Sequence, residues 1–301
     1  MKNFILVGAC GYIAPKHFQA IKETKNNLVA AFDITQNAGV IDKYFPKSNF
    51  FFNFNEFKKF ISKYQKRGKI DYMVICTPNY LHYKYILFGL KNKINIICEK
   101  PLILNTAHLK KINQYQSKYK KKVFCIMQLR LNKKIIDFKK EINNKVKKIK
   151  GKKLECKINY VSYRGDWFLK SWKGDTGKSG GLTTNIGIHL FDLLSWFFGN
   201  YIKIKIIKNT SKTNVGVISF KNANVKWLIS ISDSFLKTKN SKKRSIREFF
   251  LNGKRLELSD NFTNMHVLSY KKILLGKGFV IKDVINSLFI TEELRKYKLN
   301  R

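Results

Sequence analysis

The sequence predicts an α/β chain of two domains: a doubly wound parallel sheet over residues 1–122, then an α+β domain with a largely antiparallel open sheet over 123–301. Three observations carry that expectation. Short continuous apolar runs alternate with amphipathic segments through the first third, the pattern of parallel strands covered by helices on both faces. The first of those runs leads into a turn with two glycines, GACGYIA (8–14). Past about residue 125 the pattern changes to successive strand-like runs joined by short turns, which reads as an antiparallel sheet.

Each element follows in order. FILVGA (4–9) is the first strand, after which Ile13, His17 and Ile21 share a helix face at i, i+4, i+8. LVAAFD (28–33) is the next strand, and Phe57, Phe60, Ile61 and Tyr64, spaced i, i+3, i+4, i+7, set a helix. YMVICTP (72–78) is a buried strand, followed by a helix through Ile86, Leu87 and Leu90 and by the strand INIICEKP (94–101). Asn105 is expected to cap a helix marked by Leu109, Ile112 and Tyr119, and VFCIMQL (123–129) closes the series. In the second half KLECKINYVSY, YIKIKIIK, VGVISF, VKWLISIS, REFFLN and KRLELS read as strands. One strong helix is expected over 188–198, a two-residue turn at Asn252-Gly253, and closing helical segments near 263–275 and 280–297.

Composition bounds the function. The 301 residues suffice for two cores, and 44% of them are apolar, so the chain is globular. The apolar start of MKNFILVG is too short for a signal peptide, and no stretch approaches the ~18 uninterrupted apolar residues of a membrane span. A soluble, cytoplasmic protein without membrane insertion is expected. Five cysteines, Cys10, Cys76, Cys98, Cys125 and Cys156, lack any C-x-x-C pairing and read as reduced thiols, with no metal site suggested. The formal charge of +41 invites a nucleic-acid reading, yet only eight of the 60 basic residues are Arg and the lysines are spread along the chain. A phosphate-clamping surface would use more of the Arg fork and cluster its charge, so no nucleic-acid partner is expected.

The GACGYIA turn departs from the G-x-G-x-x-G fingerprint, which would put glycines at 10 and 13; the chain has Cys10 and Ile13, with Gly11 and Ala14 each displaced by one. Glycine lets a backbone approach a pyrophosphate, and the following helix offers N–H groups and a positive dipole end. An elbow one residue longer is therefore expected to hold a dinucleotide through Gly8, Gly11, Tyr12 and Ile13. Asp33 ends the second strand 25 positions after Gly8, about where an acidic side chain binds the adenosine ribose. Its carboxylate would repel a 2′-phosphate, so NAD is the expected cofactor. Ligands gather at the carboxyl ends of such strands, which adds Thr77, Pro78, Asn79, His82, Glu99 and Lys100 to the cofactor site of a Rossmann-type domain. Lys100 beside an oxidised nicotinamide ring would lose its proton more readily, as a general base must.

In the second half NIGIHLFD places His189 and Asp192 three apart on one helix, with Asn185 upstream. His189 is a candidate proton relay or, structurally, a partner of Asp192. Arg164, Lys170 and Lys173 interleave with Trp167 and Trp172; they suit phosphate binding and ring stacking, or capping of the core.

Together GACGYIA, Asp33, CTPNYLH, CEKP and NIGIHLFD resemble the glucose-fructose oxidoreductase and inositol dehydrogenase family (Gfo/Idh/MocA) over essentially the whole chain. The resemblance implies that Lys100 and His189 flank the reacting carbon. Asn185 stands where the family motif has Asp, so it would orient a hydroxyl without ionising. TPNYLHY, ICEKPL, MQLR, SYRGDWFLKSWKGD and TNIGIH look closer still to the branch that oxidises UDP-2-acetamido-2-deoxy-D-glucuronate at C3 in lipopolysaccharide O-antigen synthesis. That likeness implies a 3-keto product, reoxidation of bound NADH by 2-oxoglutarate, and a homo-oligomer, dimer or tetramer. Arg130 or Arg164 is then the expected site of the substrate carboxylate. The rival readings are another NAD-dependent sugar or polyol dehydrogenase of the family, and a basic anion- or nucleic-acid-binding protein on a decayed oxidoreductase scaffold.

Overall fold

The structure is a computed structural model that describes residues 1–35, 39–149, 151–236, 245–258 and 264–299; the expected end of KRLELS at 259 and the expected helix start at 263 lie outside them. Two compact units divide the chain, Met1–Gln128 with Asn264–Lys282, and Leu129–Thr263 with Asp283–Arg301.

In the first unit the elements are β1 (Asn3–Val7), α1 (Ala14–Glu23), β2 (Asn27–Phe32), α2 (Gly39–Tyr44), β3 (Asn49–Phe51), α3 (Phe54–Gln65), β4 (Tyr72–Ile75), α4 (His82–Lys91), β5 (Asn95–Cys98), α5 (His108–Tyr119) and β6 (Val123–Cys125). Six strands pair in the order β3-β2-β1-β4-β5-β6, all parallel. This is the doubly wound order, whose direction reverses between β1 and β4, where such sheets bind ligands. Burial on both faces explains the unbroken apolar runs: Phe4 to Val7 and Met73 to Ile75 are all fully buried.

In the second unit α6 (Lys133–Lys148) leads to β7 (Leu154–Ser162), the short helices α7 (Trp167–Lys170), α8 (Thr176–Ser179) and α9 (Gly181–Asn185), and α10 (Ile188–Phe198). Then come β8 (Tyr201–Asn209), β9 (Thr213–Phe220), β10 (Ala223–Ser230), β11 (Ser245–Leu251) and β12 (Lys254–Glu257). The sheet order is β12-β11-β7-β10-β9-β8, antiparallel except for the β7–β10 pair. Buried Phe191, Leu193, Trp227 and Phe249 belong to its core. The Asn252-Gly253 turn joins β11 to β12 with φ of 48° and 80°, the positive pair that a two-residue hairpin demands.

Two helices close the chain, α11 (Met265–Leu274) and α12 (Ile281–Arg295). The first returns to the parallel-sheet unit: Tyr270 is fully buried and stacks on Phe4 of β1 at 5.9 Å between ring centroids. The segment after it pairs with β6, Cys125 N–H donating to the Phe279 carbonyl at 2.9 Å. The first unit therefore reaches past residue 122 to β6 and takes in a stretch from far along the chain. The 16-residue helix α6 is not among the elements expected from the sequence. Its signals are Asn132, whose side chain caps the amides of Lys134 and Ile135, and the buried face of Ile135, Phe138 and Ile142.

Candidate active site

The first unit brings the elbow, Asp33 and the ends of β4 and β5 to one edge of its sheet. Gly8 has φ +83°, and a Cβ there would lie 2.6 Å from the Cys76 carbonyl carbon and 2.7 Å from Thr77 N. The position is thus open only to glycine, on grounds of backbone conformation and space alike. Gly11 N–H donates to the Gly8 carbonyl at 3.2 Å, and Ala14 N–H to the Gly11 carbonyl at 3.0 Å. That pair of bonds winds the extra residue into a turn before α1, which begins with Pro15 in its first turn and neither a side-chain cap nor an acidic residue. Pro15 carries no N–H, and the Ala14 and Lys16 amides are spent on the Gly11 and Ile13 carbonyls, so what the helix start offers an anion is its positive dipole end. Asp33 holds the loop from the β2 side, its Oδ2 accepting Cys10 N–H at 2.8 Å and its Oδ1 accepting Thr35 N–H at 3.0 Å. Each carboxylate oxygen keeps a lone pair for a further donor such as a ribose hydroxyl. Burial, and then the Asp33 charge, push the Cys10 thiol up to about 11.

Thr77 and Asn79 are buried at the end of β4, and Thr77 Oγ1 has no hydrogen-bond partner among the described residues. A glycine at position 8 that no side chain could replace, a helix start without an anionic cap, an acidic β2 terminus and a buried hydroxyl in want of a partner together fit a dinucleotide. Tyr12 is 93% exposed beside this loop.

Glu99 and His82, expected at the cofactor, are instead buried parts of the support. Glu99 Oε1 receives His17 Nε2 and His266 Nε2, each at 3.0 Å, while its Oε2 accepts Lys100 N–H at 3.2 Å. Burial opposes ionisation of this carboxyl, but the bonds from His17 and His266 overcome it and hold the pKa well below the usual range. A carboxylate only accepts, so His17 carries its proton on Nε2 and takes the Tyr270 hydroxyl on Nδ1, 2.8 Å away. Burial pushes His17 down, keeping it neutral against the pull of Glu99. His82 bridges two loops, with Nδ1 2.7 Å from the Pro101 carbonyl oxygen and Nε2 2.9 Å from that of Thr77. Lys100 itself is half-buried.

In the second unit His189 is half-exposed in α10, an otherwise apolar helix. Asn185 is buried at the end of α9. The glycine between them packs tightly: a Cβ on Gly187 would meet the Thr183 carbonyl oxygen at 2.4 Å and Ile229 Cδ1 at 2.7 Å. Arg130 does not stand ready for a substrate carboxylate. It is 5% exposed, and its Nε and Nη2 donate to the two Asp192 oxygens at 2.8 and 2.6 Å, with a further bond to the Asp283 carbonyl at 2.7 Å. Asp192, the structural partner offered for His189, is buried and bonded to Arg130, while His189 on the same helix is half-exposed. Trp167 is 53% exposed, and Lys173 Nζ lies 4.8 Å above its ring and 5.9 Å from that of Trp172. Burial, then the neighbouring Arg164, pulls the Lys173 pKa down. Lys170 is exposed and Arg164 half-buried.

A six-stranded doubly wound sheet with this elbow and an acidic β2 terminus defines a dinucleotide-binding oxidoreductase. The NAD-binding Rossmann fold of the Gfo/Idh/MocA oxidoreductases matches residues 2–127, and the C-terminal α/β domain of the same family matches 139–247, together well over half of the chain. The chain belongs to that family. It is similar, at 34% and 35% identity and TM-score 0.94, to two structures of the WlbA (WbpB) dehydrogenase from Thermus thermophilus, covering all of this chain and 97% of that one. One of these holds NAD and UDP-GlcNAcA, the other NAD and alpha-ketoglutarate. It is also 24% identical over 220 residues, 71% of this chain, to glucose-6-phosphate 3-dehydrogenase of Bacillus subtilis, and 23% identical over 209 residues, 66% of this chain, to the putative oxidoreductase YteT of that organism. The chain spans only 59% and 47% of those two relatives.

Proposed function

We propose that this chain is an NAD-dependent dehydrogenase that oxidises the C3 hydroxyl of UDP-2-acetamido-2-deoxy-D-glucuronate to the 3-keto sugar. The likeness that runs the whole length of the chain, to a dehydrogenase solved with NAD and UDP-GlcNAcA, carries the reading. NAD, when bound, supplies the acceptor of the hydride from C3. Gly8 and Gly11 admit its pyrophosphate at the start of α1, and Asp33 takes the ribose hydroxyls. Lys100 Nζ accepts the proton of the C3 hydroxyl as the C3–H bond breaks, so that the carbonyl forms without a charged oxygen being released to water. His189 assists that proton transfer and Asn185 orients the hydroxyl. With Arg130 spent on Asp192, the sugar carboxylate falls to Arg164, the diphosphate to Lys170 and Lys173, and a stacking face for the base or sugar to Trp167 and Trp172.

The second Thermus structure supports reoxidation by 2-oxoglutarate, which would take the hydride and a proton to become 2-hydroxyglutarate. Formation of a 3-keto nucleotide sugar suits lipopolysaccharide O-antigen synthesis in the cytoplasm. All five cysteines are unbridged, as a reducing compartment requires. Among the described residues no helix is long and apolar enough to cross a membrane. A homo-oligomer is part of the reading, supported by Ile202 and Ile207, which are 65% and 60% exposed on the edge strand β8.

The test is to incubate the purified protein with UDP-GlcNAcA and 2-oxoglutarate and to follow 3-keto sugar and 2-hydroxyglutarate by mass spectrometry. Both products in equal amounts support the reading. Turnover of myo-inositol or glucose-6-phosphate in their place moves the assignment to a different sugar dehydrogenase.

A further inference from the structure

Three of the chain's five histidines, His17, His82 and His266, are buried within the first unit, and all three end on the peptide segment Glu99–Pro101. On one side of Lys100, Glu99 is fixed by two imidazoles and accepts the Lys100 N–H. On the other, the His82 ring sits between the Pro101 and Thr77 carbonyls, 2.7 and 2.9 Å from its two nitrogens, and donates its N–H to one of them. The anchors come from separate places in the chain: His17 from α1, which follows the glycine elbow; His82 from the start of α4; His266 from α11. Tyr270, one turn along α11 from His266, braces the back of His17.

We propose that His17, His82 and His266 are positioning residues that clamp the backbone on both sides of Lys100 and so set the place of its amine. The inference rests on the reading of Lys100 as the proton acceptor. The chemistry of the cluster favours a clamp over a packing accident. A buried carboxylate is costly unless its oxygens are met by donors, and here two imidazole N–H groups and one amide meet it. His17 sits on α1, which follows the elbow, and His266 on α11, which packs against α1, so the lysine and the elbow share one frame. A misplacement of a reacting group by about 1 Å costs on the order of 10²-fold in rate, which is the size of effect such a frame protects. The His17, Glu99 and His266 ligand atoms also lie within 4.8 Å of one another, so a bound divalent cation is the competing occupant of this cluster.

The experiment compares four variants of the full chain with the native protein: Lys100→Met, His266→Leu, His266→Gln and Tyr270→Phe. It reads kcat and KM for UDP-GlcNAcA with 2-oxoglutarate as oxidant, the NAD Kd, and the metal content of the native protein. The clamp predicts that His266→Leu lowers kcat by about 10²-fold with KM and NAD Kd within about twofold of native. His266→Gln, whose amide N–H can still reach Glu99, recovers most of that loss. Tyr270→Phe, which removes one hydroxyl and leaves the ring in the core, lowers kcat in the same direction by a smaller factor, and decides the matter should His266→Leu fail to fold. An inactive Lys100→Met beside Tyr270→Phe and His266→Leu at native kcat overturns the clamp alone. A Lys100→Met that turns over normally overturns the reading of Lys100 instead. One equivalent of a divalent metal per chain, whose removal abolishes turnover, overturns the clamp in favour of a metal centre.

Discussion

At the scale of single residues, charge and hydrogen bonding decide what each candidate can do. Asp33 is the clearest case: it has lone pairs left after securing the elbow, so Asp33→Ala should weaken NAD by about 1.5 to 3 kcal/mol, the worth of hydrogen bonds to a charged group. A fluorescence titration with NAD and NADP reads this, and the preference for NAD over NADP should shrink together with the affinity. Arg130 behaves differently. Arg130→Ala leaves Asp192 buried without its partner and should cost about 3 to 5 kcal/mol of stability, read by denaturant unfolding, whereas a ligand-binding Arg would raise KM with stability unchanged. The sequence cannot separate these two roles, because Arg130 and Asp192 stand 62 positions apart and nothing local marks them as an ion pair. Nor does it show that Glu99 and His82 face inward. Their positions beside Lys100 and Thr77 are legible; the orientation of Glu99 depends on His266, 167 positions away.

At the scale of elements, local signals served where the partner was nearby. The buried strands of the first sheet, the apolar face of α3 and the Asn252-Gly253 hairpin all follow from runs of a few residues. The elbow is legible in kind: glycine at position 8 is demanded by its left-handed φ and by the backbone of Cys76 and Thr77. Gly8→Ala should therefore lower stability by about 1 to 3 kcal/mol and weaken NAD binding as well, checked by thermal unfolding with and without the cofactor. A variant that unfolds at the native temperature in both conditions would show that the elbow yields. The helix α6 escaped because lysines on its outer face mask a short apolar stripe. Its Asn132 cap was the available signal.

For the whole molecule, acid should act through buried histidines before it acts through carboxylates. His17 has a folded pKa below its ordinary 6.5 because of burial, so the unfolded chain takes up that proton first. Its contribution is intact above pH 6.5 and declines as the pH falls below it. The Glu99 carboxylate, held well below 4.5 in the fold, adds a second loss at lower pH as it too is protonated. An unfolding midpoint measured from pH 8 downward should thus fall in two stages, and His17→Asn should blunt the first. The net charge of +41 adds self-repulsion that salt screens, so the midpoint at pH 7 should rise with sodium chloride. The return of α11 to the first sheet bears on how the chain is made. A ribosome that has released only the first 128 residues has emitted β1 without Tyr270 to lie against Phe4, and Glu99 without its second imidazole. The nascent half must wait, its apolar flank exposed, until the stretch through Lys282 has been made. An expressed fragment ending at 128 should consequently aggregate, and a peptide of 264–282 supplied in trans should restore its solubility.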